Sequence, residues 1–228
     1  MPITTCIFDA YGRLFDVGSA ARRAAEEPGR DAFKQVWTAL AEDWRLKQLQ
    51  YSWLRAITGA HTTFWDVTQD GLDWALEHQG LQEDADLRER LLALYWELEA
   101  YPEVPQMLAT LKERGMKTAI LSNGNPEMLD GAVQSAGLGT LLDDVLSVEE
   151  VGIFKPAAVV YDMVGKRFGC ARDEVLFVSS NGWDIAGASA YGFTTVWANR
   201  KGEPVDRLPG RPAHQLPALD TLPALIEA

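Results

Sequence analysis

Four separated stretches of this chain end in side chains that could do chemistry on a small anionic molecule. Asp9 closes the apolar run TCIF and leads into a turn at Gly12. Ser122, Asn123 and Gly124 follow the run AIL, and Lys155 stands between the Val151-Gly152 turn and Pro156. Ser179, Ser180 and Asn181 end the run LFV, with Asp184 just beyond. A carboxylate can attack as a covalent nucleophile if the ester it forms is later hydrolysed. A nearby ammonium holds it ionised and oriented. A second carboxylate can direct or deprotonate the water that cleaves the ester, and hydroxyls with backbone N–H groups can hold an anionic substrate group.

Such residues act together only if the fold gathers them. Residues 4–8 read as a short buried strand. From Ser19 to about Glu99 no strand pattern occurs; amphipathic helices are expected over 31–50, 51–58, 62–78 and 84–97, parted by Gly59, Gly80 and short polar joints. From Pro102 onward, strand-like apolar runs (AILS, DVLS, LFVS, TVWA) alternate with helical segments, which implies βαβ units and a parallel sheet. Strands this uniformly apolar suit a sheet covered on both faces. The stretch 203–217 reads as a Pro- and Gly-rich loop before a short closing helix. The expected architecture is α/β: a doubly wound, Rossmann-like core of residues 1–16 and 98–228, with a helical cap, 17–97, inserted early. Ligands of such sheets bind outside the carboxyl ends of the strands, where Asp9, Ser122, Asn123, Ser179 and Asn181 fall.

Composition narrows the function classes. The 228 residues carry a net charge of −12 and no basic run, which disfavours nucleic acid as a partner. No apolar stretch approaches the ~20 residues of a membrane helix, and strand pattern begins too early to leave room for a signal peptide. The two cysteines, Cys6 and Cys170, have no metal-ligand spacing and read as free thiols in a reducing, cytoplasmic compartment. The three histidines show neither ligand nor triad spacing.

The motifs FDAYG…LFDV, WRLKQLQYSWLR, LSNGNP, KP…VY and FVSSNGWD, in this order over nearly the whole chain, resemble those of the L-2-haloacid dehalogenases of the haloacid dehalogenase (HAD) superfamily. The resemblance implies hydrolysis of short-chain L-2-haloalkanoic acids to D-2-hydroxy acids. Asp9 would displace halide from C2 and form an aspartyl ester; Lys155 would pair with Asp9, and Tyr161, counted with the substrate-binding residues, would support the lysine region. Ser122 and backbone N–H groups near Ala10 and Tyr11 would hold the substrate carboxylate. Arg45 and Asn123 would receive the halide beside an aromatic wall of Tyr11, Phe64 and Trp183, while Asp184, with Asn181 and Ser179, would position the hydrolytic water. The implied partners are the haloacid and halide, with a homodimer as the assembly and neither cofactor nor metal. Without the flanking motif, Arg45 would read as an ordinary solvated or ion-paired helix residue. Lys155 would read as a helix-start lysine beside a Pro156 at the first helical position, and Ser179 to Asn181 as an N-cap cluster.

Tyr11 stands where phosphatases of the superfamily carry a second aspartate that protonates an alkoxide leaving group. Halide needs no proton, and one acid fewer makes a poorer cage for a hard cation. Both points favour displacement at carbon over phosphoryl transfer. The residue four after the nucleophile, typically threonine, is Arg13; Ala157 replaces the commoner aspartate of KPD; and Leu46, beside Arg45 at an often polar position, implies a more apolar pocket. The alternatives are hydrolysis of another activated C–X bond, a phosphatase, or a silent binding member in which Arg13 pairs with Asp9. Arg13→Thr is expected to raise the initial rate of halide release from L-2-chloropropionate; an unchanged or lower rate would show that Arg13 is no handicap.

Overall fold

The computed structural model describes residues 2–12, 14–16 and 18–226; Arg13, and with it the expected effect on Asp9, lies outside them. Strand Thr5–Phe8 (β1) is followed by four helices, Gly18–Glu26 (α1), Asp31–Thr58 (α2), Phe64–His78 (α3) and Ala85–Leu94 (α4). The chain then alternates: Val104–Glu113 (α5), Lys117–Ser122 (β2), Pro126–Ser135 (α6), Asp144–Ser147 (β3), Ala158–Phe168 (α7), Val175–Ser179 (β4), Gly182–Tyr191 (α8), Thr194–Ala198 (β5) and His214–Leu216 (β6).

The six strands form one sheet in the order β3-β2-β1-β4-β5-β6, every pair parallel. This is the doubly wound order, and its switch point lies beside the central β1. All of β1 and β4, and all of β2 and β5 after their first residues, are buried. That matches their unbroken apolar runs, which alternation in an exposed sheet would have interrupted. Helix α5 packs on β2, α6 on β3, and α8 on β4 and β5. The helices α1–α4 pack on one another, α2 lying along both α1 and α3.

Three elements differ from the sequence expectation. Residues 31–58 are one helix rather than two, because nothing at 50–51 breaks it: Phe33, Leu40, Trp44, Gln48 and Ser52 continue a single buried stripe. It stops only at Gly59, which adopts φ 69° and donates its N–H to the Arg55 carbonyl. Helix α1 carries small buried residues, Ala21, Ala24 and Ala25, too weakly apolar to show as a stripe. Strand β6, in the stretch expected to be loop, is three residues on the sheet edge, two of them polar, recruited by pairing with β5 from Val196↔His214 to Ala198↔Leu216. In addition, α7 begins at Ala158, so Pro156 is not its first residue. Among the described residues no helix is long and apolar enough to cross a membrane.

The α2–α3 contact depends on a missing side chain. A Cβ at Gly71 would lie 3.2 Å from the Gln48 backbone nitrogen and 3.3 Å from the Trp44 carbonyl, tighter than backbone contacts normally allow. Gly71→Val is therefore expected to force the helices apart at a cost of about 1–3 kcal/mol, read as a lowered Tm; an unchanged Tm would show that the contact can relax.

Candidate active site

Strand β1 ends at Phe8, paired with Ile120 of β2 and Val178 of β4, so the next residue emerges at the middle of the sheet's carboxyl edge. Asp9 donates its N–H to the Val178 carbonyl at 3.0 Å. The loop then folds back on itself: Leu14 and Phe15 donate their N–H groups to the Ala10 carbonyl at 3.1 and 3.2 Å, and Gly12, at φ 83°, makes the turn. The Ser180 hydroxyl, just beyond β4, donates to the Gly12 carbonyl at 3.0 Å and ties this loop to its neighbour.

Lys155 is 1% exposed, and its ammonium lies 3.3 Å from Asp9 Oδ1 and 3.1 Å from Asp184 Oδ2. It also stands 4.9 Å from the centroid of the Phe177 ring. Its backbone N–H donates to Asn123 Oδ1 at 2.9 Å. That bond turns the Asn123 oxygen inward, leaving the Nδ2 group as the amide's donor edge. Asp184, wholly buried, accepts further bonds from Ser179 Oγ at 3.0 Å and from the Tyr161 hydroxyl at 2.8 Å. Ser179 Oγ in turn accepts the Asn181 N–H at 3.2 Å. Asn181 occupies the N-cap position of α8 and Asp184 its first turn, so their capping and site positions coincide.

Over this edge lies an enclosed space of about 10 Å³. Its floor is Asp9, Ser122, Asn123, Lys155, Asn181 and Trp183; its roof is Tyr11 with Arg45 and Leu49 of α2 and Phe64 of α3. Tyr11 stacks on Phe64, centroids 6.2 Å apart, and on Tyr95 at 5.4 Å. Burial, with Tyr95 and the Asp9 charge nearby, raises the Tyr11 phenol well above its usual range. Burial and then the Asp184 charge do the same for Tyr161. Both hydroxyls therefore stay protonated. Burial likewise pushes the Cys6 thiol up to about 12, so it is no competing nucleophile.

Residues 3–192 match the model of the haloacid dehalogenase-like hydrolase family. The chain belongs to that family. It is 46% identical over 225 residues to (S)-2-haloacid dehalogenase 1 of Pseudomonas sp. (strain CBS-3), covering 99% of this chain and 97% of that protein. It is 41% identical over 220 residues to (S)-2-haloacid dehalogenase 4A of Burkholderia cepacia, covering 96% and 93%. Its fold superposes with a TM-score of 0.87, at 36% identity and 99% of each chain, on the L-2-haloacid dehalogenase of Xanthobacter autotrophicus with chloropropionic acid covalently bound.

In this haloacid dehalogenase-like hydrolase the pocket gathers Asp9, Tyr11, Arg45, Phe64, Ser122, Asn123, Lys155, Asn181 and Trp183. Tyr161, expected to bind substrate, does not line the pocket; it is wholly buried behind it, against Asp184. Ala10 is also wholly buried, its carbonyl closing the nucleophile loop. Asp184 and Ser179 stand behind the floor, one residue layer from the space. Leu46 is 53% exposed, so it cannot make the pocket more apolar; Leu49 does so instead. Leu49 lies four residues after Arg45 on α2, and the helical i, i+4 relation to that arginine was the signal that could have found it.

Among the described residues no group of three or more His, Cys, Asp or Glu side chains could hold a metal ion. The Lys155 ammonium, within reach of both buried carboxylates, already offsets the charge a cation there would offset. These residues do not fit a magnesium cage.

Removing that ammonium would leave two buried carboxylates with no cation between them. Lys155→Met is expected to destabilise the fold by about 3–5 kcal/mol and to abolish turnover, read by thermal denaturation and halide release. A stable, active variant would mean that Asp9 and Asp184 do not depend on the lysine.

Proposed function

We propose that this hydrolase converts short-chain L-2-haloalkanoic acids into D-2-hydroxy acids and halide, through an ester on Asp9 and without a metal. The observation that carries this reading is the single buried ammonium shared by Asp9 and Asp184, beneath a roof in which Tyr11 replaces a second acid. Such a site offers an ionised nucleophile but no proton donor for an alkoxide, which suits a leaving group that departs as a stable anion.

The substrate carboxylate lies toward Ser122 and the backbone of the nucleophile loop. An Asp9 oxygen attacks C2 opposite the halogen; the C–O bond forms as the carbon–halogen bond breaks, and C2 inverts. The halide leaves with the electron pair toward Arg45 and the Asn123 Nδ2 group. Water then attacks Cγ of Asp9, so the C2–O bond survives and the inverted configuration is kept. Asn181 and Asp184 direct that water; Asp184 takes its proton and returns it to the substrate oxygen as the Cγ–O bond breaks, the second proton goes to solvent as Asp9 regains its carboxylate, and Lys155 holds both carboxylates in place. The small space, with Leu49 and Phe64 above and Trp183 below as its apolar walls, suits short chains.

In this reading residues 17–97 act as a cap on the core of residues 1–16 and 98–228, since the roof of the pocket comes from α2 and α3. The outer side of α2 exposes Leu46, Leu54 and Ile57, a face suited to pairing two copies of the chain. The free cysteines suit a reducing, cytoplasmic setting.

The test is halide release from each enantiomer of 2-chloropropionate with and without EDTA. Release from the L form alone, unaffected by EDTA, is expected, with at least about a thousandfold loss in Asp9→Asn. Turnover of the D form, retained activity in Asp9→Asn, or cleavage only of a phosphate ester with Mg²⁺ would overturn the reading.

A further inference from the structure

We propose that Gln48 is a positioning residue that aims Arg45, and that Thr68 and Tyr95 set the direction of its amide. The proposal rests on the dehalogenase reading above and gives function to three residues outside its machinery. Gln48 lies three residues after Arg45 on α2 and is 1% exposed; Thr68 on α3 is wholly buried and Tyr95 nearly so. Polar groups this deep need partners, and here the partners impose a direction.

The Thr68 hydroxyl lies 2.7 Å from the Phe64 carbonyl. A carbonyl can only accept, so the hydroxyl proton is committed there, and toward Gln48 the same oxygen can only accept. The Gln48 atom 2.7 Å from it is therefore the nitrogen, which also donates to the Tyr95 hydroxyl at 3.1 Å. Both amide protons are then used, and Oε1 is left facing Arg45, whose Nη1 donates to it at 2.7 Å. A reversed amide would set oxygen against the Thr68 lone pairs and N–H against N–H of the guanidinium. Two contacts would be lost at once, so the amide has one orientation.

Arg45 needs such a guide because it borders two spaces. One is the pocket over Asp9; the other, about 60 Å³, is lined by Gly18, Ala21, Ala41, Trp44, Gln48 and Tyr95. A long side chain between two voids has room for more than one rotamer. The guanidinium is a rigid planar fork, so fixing one nitrogen fixes the direction of the others. The same relay holds the pocket wall: Thr68 bonds the carbonyl of Phe64, and the Tyr95 ring packs on Tyr11. Arginine and aromatic roof are thus placed by one buried network.

The experiment compares full-length wild type with Gln48→Leu, Thr68→Val and Tyr95→Phe, using L-2-chloropropionate and L-2-bromopropionate. Chloride, the poorer leaving group, needs Arg45 more. Gln48→Leu is expected to lose up to about 100-fold in kcat for the chloro acid and clearly less for the bromo acid. Half-saturating bromide, titrated by tryptophan fluorescence through Trp183, should rise in parallel. Thr68→Val and Tyr95→Phe, which leave Gln48 in place but free its amide to turn, should shift both readouts the same way by less. Adding Gln48→Leu to Arg45→Lys should cost little more. Equal losses on both substrates with unchanged bromide binding would reduce Gln48 to a packing role and overturn the proposal, as would additive losses with Arg45→Lys. If wild type released no halide from either acid, the dehalogenase reading would fail, and the bromide titration would still decide whether Gln48 aims Arg45.

Discussion

The buried ammonium of Lys155 is the constraint to which the rest of the site answers. Taking an ammonium out of water to 1% exposure is costly without anions beside it, and Asp9 and Asp184 supply them at 3.3 and 3.1 Å. The three residues come from β1, from the turn before α7 and from the start of α8. The sheet order is what brings them together, because β1 and β4 are adjacent and both end at the same edge. Each partner is held in turn: Asp184 by Ser179 and Tyr161, the lysine backbone by Asn123, and the nucleophile loop by Ser180. These secondary bonds mean that the position of the Asp9 carboxylate is set by its surroundings.

That arrangement separates attraction from access. Asp184 lies wholly behind the floor while Asp9 reaches the space above it, so one ammonium serves a carboxylate that lines the pocket and one that does not. A second carboxylate at position 11 would crowd a third negative charge against the pair, and only a cation could offset it. Tyr11 avoids that demand. Its protonated, buried phenol packs with Phe64 and Tyr95 and turns the same position into an apolar wall. Absence of an acid and presence of an aromatic roof are therefore one design choice.

Most of the core was legible in the sequence because buried parallel strands leave a plain mark. AIL, LFV and VWA are uninterrupted apolar runs, and the first two lead into the serines, Ser122 and Ser179, that close their strands. The helical layer was read less well. Nothing in YSWLR distinguishes a helix that continues from one that restarts, and the burial of Gln48 and Ser52 is set by what α3 places opposite them. Strand β6 pairs along the edge that β5 offers, and one leucine after two polar residues is too short a pattern to show as a strand. At the site, Asp9, Lys155 and Asn123 could be picked out as strand-end residues. Tyr161 was assigned to the wrong side of the floor because a motif gives proximity and not direction.

Gln48 shows the same limit from the other side. By composition it is a polar residue in a polar helix, and a hydropathy pattern would place it in solvent. It is buried because Gly71 lets α3 approach α2 closely and because Thr68 and Tyr95 then stand within hydrogen-bonding distance. Once it is buried, donor and acceptor counting leaves one orientation for its amide, and that orientation faces Arg45. A packing decision at a glycine thus becomes a directional constraint on a cation above Asp9. The core holds Asp9 by charge balance, whereas the helical layer aims Arg45 by hydrogen-bond direction. The two halves of the site can therefore be tuned separately, one through the carboxylates around Lys155 and the other through the residues behind Arg45.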